Sequence, residues 1–372
     1  MEKEIHPNGR FITEERFNEA DALNKRWFCA AIYPDGSIFN EEADSPASFL
    51  EVLHDATLAW IDFRTTDFEK DGHIAGTLLG FSDHLILSLT GDSRLLYEDL
   101  DTEMAIKLPS IQIRLEPHPD VQPYTTLLLL RKNFILTIHP LLVDRRFSRL
   151  RRYSNKILQR IPMEAPMQSR LTLLLMRIID QNNDRNFEHL RQIEEFGDNL
   201  SKRLIDPQVP RTVLGPEIYD MKHALIVYLN ALWETVDVLH DVRYGDAELI
   251  TDETHILEQV GLLADSVKQQ IGLAEHLSEV LASGLEVLQS IYNNQLQVLN
   301  NRMALIMTYL TVLGTAVLVP NTLATVFGNS AFAMTPDDRG WYITLLVIST
   351  VVATALSFWW VRKSGWIPKK MD

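Results

Sequence analysis

Two long uncharged stretches near the C-terminus limit what this chain can fold into more than any other feature. No charged side chain lies between Arg302 and Asp337, and Trp341 to Trp360 is a second uncharged run. About 20 apolar residues suffice to cross the hydrocarbon core of a bilayer, so each run predicts a transmembrane helix. Between them the chain is short and carries Asp337, Asp338 and Arg339. Everything before Arg302 has the composition of a water-soluble protein. The expected fold class is therefore an α+β membrane protein: a large soluble body with a C-terminal pair of spans.

Charge divides the same way. The formal net charge is −15, but residues 303–372 hold only Asp337, Asp338 and Asp372 against Arg339, Arg362, Lys363, Lys369 and Lys370, leaving −17 on the rest. A body this acidic attracts cations and repels nucleic acid, which is not expected as a partner. The basic segment after the second span favours the cytoplasmic side, and two crossings return the chain to its starting side. The polar start, Met1-Glu2-Lys3-Glu4, has no apolar signal core. The expectation is a multi-pass protein of the cell membrane with both termini cytoplasmic. The single cysteine, Cys29, lies in an apolar run and reads as a buried core residue.

Residues 1–160 read as an α/β domain. Pro34-Asp35-Gly36 is a turn signal between apolar runs at Trp27–Tyr33 and Ser37–Asn40, which predicts a hairpin. Leu58–Phe63, His84–Leu89, Ile111–Leu115, Thr126–Leu130 and Asn133–His139 are further strand candidates, and Pro46–His54 and His73–Leu79 are helical. The arginine run from Arg145 to Arg160 reads as a solvated helix face paired with acids. Residues 161–302 are read as a helical stalk, with long helices at Leu171–Lys202 and Glu217–Val242 separated by a link at Pro207–Pro216.

From Leu277 an apolar stripe runs through Leu281, Leu285, Leu288, Tyr292, Leu296, Leu299, Met303, Ile306, Leu310, Leu313 and Val317, each step three or four residues. The stripe crosses the point where charges stop. It predicts one very long helix, coiled-coil-like below, that becomes the first span at 303–330. The external acidic loop is 331–340, the second span 341–361 and the basic cytoplasmic tail 362–372. The first span holds Thr308, Thr311, Thr315, Asn321, Thr322 and Thr325 and ends in Gly328-Asn329-Ser330, whereas the second has no amide. Amides in hydrocarbon usually face protein or water. Polar groups repeating along one helix suit either helix–helix contacts or the lining of a pore, and a pore requires a ring of identical subunits. Trp341, Tyr342, Trp359 and Trp360 at the ends of the second span suit an outer, lipid-facing helix.

With those residues in place the chain resembles the CorA family of divalent-cation transporters. The resemblance rests on Trp60-Ile61-Asp62, Tyr97-Glu98-Asp99-Leu100, Asn133–His139, Leu310-Thr311, Pro320, Phe327-Gly328 and the tail with Gly365-Trp366. It implies a homopentamer in the lipid bilayer with a transported and regulatory divalent cation, magnesium first, and no other cofactor. Where the family has Tyr-Gly-Met-Asn, this chain has Phe327-Gly328-Asn329-Ser330, which leaves zinc, cobalt or nickel as the alternative cargo. The resemblance places Gly328, Asn329, Ser330, Asn321, Thr325, Thr315 and Thr311 along the pore. It also implies an apolar gate at Met307, Leu310 and Leu318, cation concentration by Asp337 and Asp338, and a regulatory metal at Asp99 facing a stalk acid (Asp265, Glu275 or Glu279).

A ring of amides can hydrogen-bond the hydration shell of magnesium, which dehydrates reluctantly. A divalent ion entering a negative interior gains roughly 4–5 kcal/mol per 100 mV, enough for uptake without ATP. No phosphate loop or common hydrolase motif occurs, so an enzyme is not expected. A membrane-anchored scaffold or sensor is the rival from another class.

Overall fold

The hairpin forms because Gly36 takes a left-handed φ of 82° while Asp35 Oδ1 accepts hydrogen bonds from the backbone and hydroxyl of Ser37, at 2.9 and 2.6 Å. It joins β1 (Trp27–Ile32) to β2 (Ile38–Ala43). The computed structural model describes residues 26–90, 95–115, 119–206, 209–328 and 335–363. After the hairpin come α1 (Leu50–Asp55), β3 (Leu58–Thr65), α2 (Phe68–Leu78), α3 (Asp83–Leu89) and β4 (Tyr97–Asp99). Then follow β5 (Glu103–Arg114), β6 (Asp120–Arg131) and β7 (Phe134–Pro140).

These strands make one sheet in the order β2-β1-β3-β7-β6-β5-β4. Only β3 and β7 run parallel, Ala59 opposite Phe134 and Thr65 opposite Pro140. They are the central pair, and nearly every residue in them is buried because helices cover both faces. Cys29, Ile61, Phe63, Leu136 and Ile138 point to one face, where Phe49, Ala75, Leu85, Ile86 and Leu89 of the first helices complete a core. The Cys29 thiol is buried there and pushed up to about 12 by desolvation.

His84–Leu89 is helical, not a strand. Ser82 Oγ caps α3 by accepting from the Leu85 amide, and Leu85 and Ile86 pack against the core with Leu89 one helical turn further on. A short apolar run satisfies either period, and the cap decides it.

Four helices follow: α4 (Asp144–Gln159), α5 (Met167–Asn183), α6 (Asn186–Ile205) and α7 (Arg211–Tyr244). The single helix expected over Leu171–Lys202 is interrupted at Asp184-Arg185. The Asn182 amide is drawn to β5, donating to the Pro109 carbonyl at 2.9 Å and accepting from Ser110 Oγ at 2.6 Å. Arg146 donates to the Asn182 carbonyl, satisfying an acceptor that the helix end leaves open. The link expected at Pro207–Pro216 is shorter, since α7 already contains Gly215 and Pro216.

The arginine run also divides. Arg145, Arg149, Arg152 and Arg160 are exposed, but Arg146 and Arg151 are buried. Arg151 bonds Asp62 and, at 2.5 Å, Asp144 Oδ1, while His139 Nε2 lies 3.2 Å from Asp62 Oδ1. A charged cluster therefore sits between β3, β7 and α4 on the second face of the sheet.

The last two helices are α8 (Thr254–Phe327) and α9 (Arg339–Lys363). α8 begins 23 residues before Leu277, where the apolar stripe became visible in sequence, and passes through Pro320 without ending. The chain divides into two compact units, the second beginning at Glu286 within α8.

Candidate functional site

The uncharged part of α8 has two unlike sides. Thr308 and Ala316 are buried, and Leu305, Val312 and Leu323 are partly covered. At about 100° per residue these five share one side of the helix. Ala353 and Val361 are the buried residues of α9. At the outer end the Tyr342 hydroxyl lies 3.5 Å from the Ala324 carbonyl, and Phe327 meets the rings of Trp341 and Tyr342 edge-on.

Turned away from that covered side are Met307, Leu310, Thr311, Gly314, Leu318, Asn321 and Thr325. All lie within about 60° of the Met307 direction. Met307, Leu310 and Leu318 are 64, 59 and 63% exposed in the single chain. Thr315 sits at the margin of this face and is half-buried. Each threonine donates its hydroxyl to the carbonyl one turn back: Thr311 to Met307 at 2.9 Å, Thr315 to Thr311 and Thr325 to Asn321 at 2.8 Å. Their donors are thus spent within the helix, while the oxygens keep acceptor capacity toward a cation or its water. Thr308 bonds Ala304 in the same way but belongs to the buried side.

Gly328 ends the helix, its amide donating to the Ala324 carbonyl at 2.8 Å. A Cβ there would come 2.8 Å from that carbonyl oxygen, so the close turn needs glycine. Asn329 and Ser330 lie outside the described residues, as do the first residues Met1–Glu4 and the tail with Gly365-Trp366. The two loop acids differ in use. Asp338 accepts from the Thr335 amide and hydroxyl at 2.9 and 2.8 Å and from Trp341 Nε1 at 3.1 Å, so it caps the start of α9. Asp337 is exposed beside it.

In the first unit, Asp99 ends β4 and accepts from the Asp101 amide at 3.2 Å. Its carboxyl is shifted up by burial and by the charges of Asp101, Glu248 and Asp246. Of these acids, Asp101 follows β4 and Asp246 and Glu248 come from the segment after α7, while Asp265, Glu275 and Glu279 are exposed on α8. Beside them a cavity of about 500 Å³ is lined by Leu95, Leu96, Tyr97, Asp237, His240, Asp241 and Gly245. Burial, with Asp237 nearby, likewise shifts the Asp241 carboxyl up. Asp237, His240 and Asp241 share one face of α7, at a three- and four-residue spacing that is visible in the sequence. Among the described residues no three His, Cys, Asp or Glu side chains stand close enough to hold a metal within one chain.

The sequence matches the CorA-like Mg2+ transporter protein family over residues 55–363. The chain belongs to that family. Both α8 and α9 of this CorA-family chain are long and apolar enough to cross a membrane, and it is a membrane protein of the divalent-cation transporter class. Its fold is that of the complete CorA magnesium transporter from Methanocaldococcus jannaschii, at 20% identity and a TM-score of 0.64 over 92% of this chain and 99% of that one. The full-length CmaX protein is similar at 14% identity and a TM-score of 0.59, covering 91% of this chain and 98% of its own. The cytoplasmic domain of ZntB from Vibrio parahaemolyticus matches 73% of this chain and 99% of that domain, at 14% identity and a TM-score of 0.54. A comparison with curated proteins returns no match.

Proposed function

We propose that this CorA-family chain assembles as a homopentamer and conducts a divalent cation, magnesium first, down its electrochemical gradient into the cytoplasm. The observation that carries this reading is the uncovered face of α8. Opposite the covered side it presents an apolar segment at Met307, Leu310 and Leu318, then Asn321 and Thr325 toward the outer end. In a ring of chains such a face encloses a narrow apolar gate, which closes by dewetting, below a polar mouth. Asn329 and Ser330 complete the mouth, and Asp337 draws cations to it. Residues 1–160 and 161–302 lie in the cytoplasm, α9 faces lipid, and both termini are cytoplasmic. Asp99 holds a regulatory cation together with an acid of the neighbouring subunit.

Zinc, or cobalt or nickel, is the second reading, favoured by one departure. Phe327-Gly328-Asn329-Ser330 replaces the Met-Asn pair of the family signature with Asn-Ser. Flux of magnesium and of zinc into liposomes containing the purified protein tests both readings. Magnesium uptake that falls in Asn329→Ala while the five-chain assembly persists is the expected result. Zinc uptake without magnesium uptake reverses the order of the two ions. A monomer or dimer in mild detergent removes the pore and leaves the scaffold reading.

A further inference from the structure

Five cations stand in one row on α4: Arg145, Arg149, Arg152, Lys156 and Arg160. Steps of four, three, four and four residues keep them within about 80° of one another around the helix, over roughly 22 Å. All five are exposed, in a chain whose formal net charge is −15. Acids answer little of this charge. Arg149 meets Asp184 at 3.2 Å across two exposed side chains, and Arg152, Lys156 and Arg160 make no ion pair with a described residue. Like charges three or four residues apart destabilise a helix rather than support it. The helix dipole favours Lys156 and Arg160 at the C-terminal end but disfavours Arg145 in the first turn. A chain this acidic gains no solubility from them either. Neither helix stability nor solubility therefore accounts for the row.

The row is rigidly held and carries an aromatic ring. On the inner side of α4, Arg151 bonds Asp62 and Asp144, and Phe147 and Leu150 are buried. Tyr153, 44% exposed, lies one helical turn from both Arg149 and Lys156, and Lys156 Nζ is 5.9 Å from its ring centroid. Arg149, Arg152, Tyr153 and Lys156 thus make one compact patch of three cations around an exposed ring. Cations alone suit any polyanion. The ring adds a platform on which a planar base can stack, and an acidic peptide has no use for it. We infer that this patch binds a nucleoside triphosphate, its phosphates on Arg149, Arg152 and Lys156 and its base on Tyr153. Arg145 and Arg160 extend the positive field at either end. The exposed Arg149–Asp184 pair is worth little in water and gives way to phosphate. A bound magnesium ion cancels two of the ligand's negative charges, so the metal-free nucleotide is the preferred form. In a divalent-cation transporter such a site responds to how much nucleotide the available magnesium leaves bare. The binding does not depend on the proposed pore.

Equilibrium binding to the purified full-length protein at about 0.1 M salt tests this, with ATP, magnesium-saturated ATP, inorganic triphosphate and polyglutamate as probes. Metal-free ATP is expected to bind tightest and its magnesium complex several-fold more weakly. Arg152→Gln combined with Lys156→Gln should weaken ATP and triphosphate alike, about tenfold. Tyr153→Ala should weaken ATP about fivefold and leave triphosphate unchanged. Lys202→Gln, at an exposed cation on α6, should match the wild type. All these side chains are exposed, and unchanged thermal unfolding shows that each variant still folds. No ATP binding at millimolar concentration, or binding indifferent to the double substitution, overturns the site. Polyglutamate bound as tightly as ATP, with Tyr153→Ala indifferent, assigns the row to an acidic peptide instead. Magnesium-saturated ATP bound as tightly as the bare form overturns the metal-free preference. A protein that binds ATP in this way but conducts no ion keeps the inference and removes only the pore.

Discussion

Arg151 on α4 closes a fully buried ion pair with Asp62 on the central strand β3, and Asp144 takes the other side of the same guanidinium. His139, stacked on Phe147 with ring centroids 4.5 Å apart, contacts the second oxygen of Asp62. The cluster fixes α4 against the parallel β3–β7 pair. Replacing one partner leaves a buried charge without compensation, which costs about 3–5 kcal/mol. Arg151→Met is expected to destabilise the protein by that amount in denaturant unfolding. Adding Asp62→Leu should recover part of the loss, because the second change removes the stranded charge.

The same pair sets an acid limit. Burial alone would raise the Asp62 carboxyl, but His139 and Arg151 bring it down from 3.8 to about 2. A carboxyl lowered by folding contributes stability that is complete above its unfolded value and is lost as pH falls through the folded one. Stability should therefore drop between about pH 4 and pH 2. Asp99 and Asp241 are shifted up, so they oppose folding when ionised and do not account for an acid loss. Thermal unfolding measured from pH 6 down to pH 2 checks this, with Asp62→Asn expected to be less stable at neutral pH and flatter at the acid end.

The proposed apolar gate makes a different kind of prediction. Met307→Ser or Leu310→Ser lowers the cost of wetting the narrow segment, so resting leak should rise while assembly is unchanged. Liposome flux in the absence of any stimulus reads the leak directly. The same substitution on the covered side, at Val312, should weaken packing without raising it.

Much of this architecture was legible from local chemistry. Pro34-Asp35-Gly36 announced its hairpin, and the uninterrupted apolar spacing through Met303 announced a helix crossing from polar to uncharged sequence. What stayed hidden depends on contacts between distant residues. Arg146 and Arg151 look like their exposed neighbours in sequence, because their burial is decided by Asp62, Asn182 and Ile111 on other elements. Asn182 ends α5 only because β5 offers it partners.

The paired loop acids should be separable by salt. Asp338 spends its oxygens on Thr335 and Trp341, so its carboxylate holds the start of α9, whereas Asp337 is exposed and turned to solvent. An exposed charge attracts cations through a field that is screened over about 10 Å at 0.1 M salt. In the proposed ring, Asp337 would raise the local concentration of a divalent ion at the mouth, and more so in dilute buffer. Asp337→Asn is therefore expected to reduce magnesium flux at low ionic strength and to approach the wild type as salt rises. Asp338→Asn keeps an acceptor for Thr335 but loses its charge-assisted strength, so its effect should persist at every ionic strength and appear also as a lower thermal stability. Flux measured across a salt series for the two variants distinguishes a capping carboxylate from an attracting one. Identical salt dependence for both would deny Asp337 its role at the entrance.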